Sequence, residues 1–96
     1  MKVIGKDILS QFVRKHSDVK NWIGCWLADV EETKWITPND VKRRYSTASF
    51  LEKRVVIFNV KGNSYRLEVR ISYQSSVVDV LWAGTHAEYD KRNSKR

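Results

Sequence analysis

Two runs of alternating hydrophobicity on either side of Gly62-Asn63 constrain this 96-residue chain more than any other feature. Arg54–Val60 and Ser64–Tyr73 carry Val, Ile, Tyr and Phe with the period of a strand, and Val77–Gly84 repeats the pattern after a turn at Gln74–Ser76. A hairpin centred on Gly62-Asn63 pairs Val60 with Tyr65, Asn59 with Arg66, Phe58 with Leu67, Ile57 with Glu68 and Val56 with Val69. Cross-strand partners share a face. One face then collects Val56, Phe58, Val60, Tyr65, Leu67, Val69, Ile71 and Tyr73, and the other Asn59, Arg66, Glu68 and Arg70. A second hairpin centred on Ser75-Ser76 sets Val78, Val80 and Trp82 opposite Tyr73, Ile71 and Val69 on the apolar face. It leaves Asp79, Leu81 and Ala83 on the open face and brings Thr85 near Arg66.

The apolar face needs a cover, and the first third of the chain supplies it. Gly5–His16 shows Ile8, Leu9, Phe12 and Val13 at helical spacing. Asp18–Glu32 carries Val19, Trp22, Ile23, Trp26, Leu27 and Val30 as a continuous stripe, with Ser17 or Asp18 as its cap. Trp22 and Trp26 share that stripe with aliphatics, so they are expected as core anchors. Cys25, beside the stripe, is expected as a small packed residue, and His16 as a surface residue. Met1–Ile4 is a candidate edge strand. Trp35–Lys53 is irregular, with Thr37 and Pro38 opening a short helical turn through Arg44. Thr85-His86-Ala87-Glu88 is a capping box, which starts a last helix over residues 86–92. The expected fold is α+β: a single domain over residues 1–96, two helices on an antiparallel meander, a short C-terminal helix, and a solvated tail at 92–96.

Charge narrows the function. The net charge is +7. Residues 1–40 are neutral, residues 41–70 carry eight basic and two acidic side chains, residues 71–90 carry three acids and no Lys or Arg, and KRNSKR ends the chain. Such a block favours polyanion partners. The basic cluster Lys42, Arg43 and Arg44 is either a solvated helix face or a phosphate contact. No apolar run is long enough to span a membrane, MKVIGKDILSQF lacks the apolar core of a signal peptide, and one cysteine excludes an internal disulfide. A cytoplasmic protein with no cofactor and no metal is expected.

The register gathers Arg66, Asn59, His86 and Tyr89 at one end of the open face, with Lys53 and Lys91 nearby. A guanidinium, an imidazole, a phenol and amide dipoles suit phosphate chemistry. In RNA cleavage a base takes the 2′-OH proton, an acid protonates the leaving 5′-oxygen, and a cation stabilises charge on phosphorus. Plainer pairings fit the spacing too: Arg66 with Glu68 or Asp79, and His86 with Asp90. The residues alone favour nucleic-acid binding ahead of catalysis, with a structural partner protein as a further alternative.

The run FNVKGNSYRLEVRISY followed by AGTHAEYDK resembles the HigB toxins of bacterial toxin–antitoxin pairs, which are RelE-like mRNA interferases. The likeness runs from the second helix to Lys91. It implies a RelE-like fold, ribosome-dependent and metal-independent cleavage of mRNA by 2′-OH attack, and a HigA-like helix-turn-helix antitoxin. Operator DNA would be reached only through the antitoxin complex. By this resemblance Arg66, His86 and Tyr89 are candidate catalytic residues. Asn59, Asn63, Lys53 and Lys91 are candidate RNA contacts, joined by Arg70, Lys42, Arg43 and Arg44 from the charge pattern.

Overall fold

The first hairpin forms with the expected register, rung for rung. In a computed structural model that describes residues 1–93, β3 (Val55–Val60) and β4 (Tyr65–Ser72) pair Val60 with Tyr65, Asn59 with Arg66, and on to Val55 with Arg70. Lys61 and Gly62 take φ of 51° and 67°. Such left-handed values suit the tight reversal of a hairpin, and glycine adopts them freely.

The second hairpin departs from expectation. Strand β5 (Val77–Thr85) pairs Val77 with Ser72, Val78 with Ile71 and Val80 with Val69. That is a shift of two residues from the expected pairing, so Val78 and Val80 stay on the apolar face. Ser76, with φ 57°, makes the turn four residues long. A bulge then opens between Val69 and Glu68, where Leu81 is the unpaired extra residue. Beyond it Trp82 pairs with Glu68 and Ala83 with Leu67. Trp82 is therefore on the open face and Ala83 packs against the core, the reverse of what strict alternation predicts.

Two short strands complete a mixed sheet of order β1-β5-β4-β3-β2. β1 (Lys2–Ile4) lies parallel to β5 as an edge. β2 (Ser49–Phe50), which hydrophobic pattern did not reveal, pairs antiparallel with β3. Helices α1 (Lys6–Lys15) and α2 (Lys20–Glu32) cover one face. Leu9, Phe12, Val19, Ile23, Trp26 and Val30 join Val56, Phe58, Val60, Leu67, Val69, Ile71 and Val78 in the core, each at most 4% exposed. Neither Ser17 nor Asp18 caps α2 with its side chain; a 3-10 turn, Ser17–Val19, precedes it instead. Asp18 accepts the Tyr65 hydroxyl on both oxygens at 2.9 Å. Cys25 is exposed rather than packed, because it falls off the stripe beside Gly24, also on the solvent side. His16 is half-buried, 5.0 Å from the Tyr65 ring and 5.6 Å from the Phe12 ring.

Helix α3 (Pro38–Arg44) begins where expected. The Asp40 carboxylate accepts the backbone N–H groups of Ile36 and Thr37. Those hydrogen bonds hold its pKa below the usual carboxylate range. Helix α4 (His86–Asn93) follows β5 directly and buries no residue of its own. The helix reaches Arg92 as expected and continues to Asn93, which the sequence reading left in the tail; the rest of the expected tail, 94–96, lies outside the described residues.

Candidate functional site

The end of the sheet at the Gly62 turn brings four expected residues together. Arg66 sits opposite Asn59 on one side and Gly84 on the other. Its guanidinium is drawn toward the turn, donating to Asn63 Oδ1 at 2.7 Å and to the carbonyls of Asn63 at 3.3 Å and Tyr65 at 3.1 Å. Asn63 thus orients Arg66. Asn59 donates to the Thr47 carbonyl at 3.3 Å. His86 enters the same end of the sheet, because its backbone N–H donates to the Ser64 carbonyl at 3.0 Å.

The capping box expected at Thr85 and Glu88 is present. Thr85 N–H donates to Glu88 Oε1 at 2.9 Å, and Glu88 N–H to Thr85 Oγ1 at 3.1 Å. The backbone N–H of Thr85 is the main cause that holds the Glu88 pKa below its ordinary value; the Thr85 hydroxyl and Lys15 add to it. This cap fixes how α4 leaves the sheet and so where His86 stands. His86 Nδ1 lies 2.8 Å from Asp90 Oδ2, one helical turn away. The pairing that spacing suggested therefore forms, and it leaves Nε2 as the nitrogen for other work. The imidazole side chain is 37% exposed, enough to meet a ligand.

Tyr89 lies three residues after His86 on α4, and its ring contacts Trp82, 6.1 Å from the indole. Sequence reasoning missed what lies beneath. Glu68 is only 4% exposed, although alternation puts it on the open face. Arg92 covers it, donating to its carboxylate at 2.7 Å, and also lies 4.9 Å over the Trp82 ring. Glu68, Trp82 and Arg92 thus dock α4 on the sheet. The advance sign was that Arg92 stands on the same helix as His86, six residues on.

The remaining basic residues do not converge on this point. Lys42 Nζ donates to the Ala48 carbonyl at 2.8 Å and lies 5.9 Å over the Phe50 ring. Arg43 pairs with Asp40 at 2.8 Å and Arg44 with Asp29 at 2.7 Å. These are largely local pairings of α3. Lys53 and Arg70 share a separate cavity farther along the sheet, lined also by Phe50, Leu51, Glu52 and Glu68. Lys53, with φ 59°, and Arg54, with φ 64°, bend the chain there. Lys91 lies on α4, two residues after Tyr89.

A second groove borders the Arg66 end. It is lined by Trp22, Arg44, Tyr45, Asn59 and Asn63 among others. Tyr45 donates its hydroxyl to Asp29 at 2.7 Å, and burial together with that bond pushes its pKa well above the usual phenol value. No helix among the described residues is long and apolar enough to cross a membrane. Among those residues no group of three or more His, Cys, Asp or Glu is placed to hold a metal ion.

Compared with known proteins, residues 13–92 match the family model for the HigB toxin, the RelE-like toxic component of a toxin–antitoxin system. No curated protein matches the chain. The matched segment runs from α1 to α4 and includes Arg66, His86, Tyr89 and Arg92.

Proposed function

Because the chain belongs to the HigB family of RelE-like toxins, we propose that it arrests growth by cutting messenger RNA on the ribosome. Membership makes it a toxin with an antitoxin partner. The finer reading is that this antitoxin is a HigA-like helix-turn-helix protein, and that the toxin reaches operator DNA only in complex with it. The observation that carries the nuclease reading is the meeting of Arg66 and His86 at one end of the sheet. Each is held by a neighbour, Asn63 for Arg66 and Asp90 for His86.

In the proposed reaction the ribose 2′-oxygen attacks the adjacent phosphorus. The P–O5′ bond breaks, leaving a 2′,3′-cyclic phosphate and a 5′-hydroxyl. One proton leaves the 2′-OH and one arrives at the 5′-oxygen. His86 and Tyr89 supply the two proton-transfer groups, and Asp90 orients the imidazole by its 2.8 Å contact. Arg66 offers a guanidinium fork to the phosphoryl oxygens as charge builds on them. Asn59 and Asn63 border this point as RNA contacts, and Lys91 would add a contact from α4. Lys53 and Arg70 would hold the strand farther along. Lys42, Arg43 and Arg44 act less directly, since α3 holds them in pairings away from Arg66 and His86.

Induced expression tests this reading. The parent should arrest growth and produce new mRNA 5′ ends inside coding frames. His86→Ala and Arg66→Ala should each lower cleavage about 10²-fold or more and relieve the arrest while the protein stays folded. Salt-sensitive RNA binding with an unchanged map of 5′ ends would reassign the protein to RNA binding without chemistry.

A further inference from the structure

Of the two tryptophans expected as core anchors, Trp26 is fully buried, while Trp22 packs against the core and keeps part of its surface open. Its ring lies 6.2 Å from that of Tyr45, and both border a cavity of about 550 Å³ that Arg44, Asn59 and Asn63 also line. The volume is in the range of small-ligand sites. Asn63 belongs to this groove and also receives the Arg66 guanidinium, so the groove begins where the proposed phosphate site ends. Among the described residues no carboxylate lines it. By contrast Glu52 and Glu68 line the cavity at Lys53 and Arg70. Asp29 accepts from Arg44 and from the Tyr45 hydroxyl.

We infer that the Trp22–Tyr45 groove is a nucleobase subsite, which takes the base of a nucleotide flanking the phosphate at Arg66. This inference rests on the ribonuclease reading above. An indole wall provides the apolar plane on which any base can stack. Asn59 and Asn63 supply amides for a base edge, since a side-chain amide both donates and accepts. Arg44 also lines the groove, its guanidinium paired with Asp29 at 2.7 Å. The subsite holds a neighbour of the scissile phosphate, so it acts through binding and register rather than proton transfer.

The test is a cycle between protein and RNA. Ribosomes are programmed with a short mRNA, intact or carrying an abasic nucleotide at either position flanking the mapped cut, and kcat/KM is measured. With the parent, an abasic nucleotide at one flank should lower kcat/KM roughly tenfold. Trp22→Ala should show a similar loss on intact mRNA but at most about a twofold further loss on the abasic one. Trp22→Phe should keep most of the sensitivity. Equal sensitivity of parent and Trp22→Ala at both flanks overturns the inference, as does a Trp22→Ala variant that loses antitoxin binding and cleaves mRNA normally. If Trp22→Ala does not fold, ultraviolet cross-linking of the parent to 5-bromouridine-labelled mRNA decides. Cross-links at Trp22 or Tyr45 support the subsite, and cross-links confined to other residues overturn it. A parent that cuts no mRNA at all overturns the ribonuclease reading itself, and the subsite with it.

Discussion

Glu88 shows how much one side chain can do when its partners are backbone groups. Its carboxylate accepts the Thr85 N–H and caps α4, and its pKa is depressed. A depressed carboxylate stabilises the fold above its unfolded pKa, about 4.3, and that contribution disappears as pH falls through the lower folded value. Urea midpoints measured from pH 7 to pH 3 should therefore fall on the acid side, and Glu88→Gln should flatten that limb. Near neutrality Gln still fits the capping box, and exposure screens the lost charge, so the variant should lose under about 1 kcal/mol. This cap was legible in sequence because its four residues are consecutive. Glu68 was not. Alternation assigns a residue to a face of the sheet but cannot say what folds back over that face. Arg92 supplies that cover from 24 residues away.

Among the elements, the two hairpins explain why one register was readable and the other only in part. The first turn is marked at its centre by Gly62, with φ 67°, and its position in the sequence fixes every rung. The second has no glycine, and the left-handed residue is Ser76, so nothing in Gln74–Ser76 marks the centre. The bulge at Leu81 is silent in the pattern for the same reason: one extra apolar residue among Val80, Leu81 and Trp82 leaves no break. Its effect is large, since it turns Trp82 to the side where α4 packs. Gly84 completes the arrangement. A Cβ there would lie 2.7 Å from the Trp82 ring, so the indole can lie close to the strand only above a glycine. Gly84→Ala should cost about 1–3 kcal/mol by overpacking and shift the tryptophan near-ultraviolet circular dichroism. A melting temperature and spectrum equal to the parent's would remove this account of the glycine.

Across the whole molecule, the two faces of the sheet are built to different standards. Helices α1 and α2 bury Leu9, Phe12, Ile23, Trp26 and Val30 against one face. The other face is held to α4 by an ion pair, a cation over an indole and a cap, while α4 buries none of its own residues. Its eight residues, His86–Asn93, are too few to stay helical alone. The protein should therefore open in two steps, because regions with few buried apolar contacts open below the global transition. In hydrogen exchange, amides of α4 should gain deuterium at least about tenfold faster than those of β4, whose Leu67, Val69 and Ile71 are fully buried. Under the proposed ribonuclease reading, cleavage should fade several degrees before the tryptophan core melts on heating, and return on cooling. Such a toxin would have a ceiling temperature for activity set by one short helix, and a separate, higher one for survival of the fold.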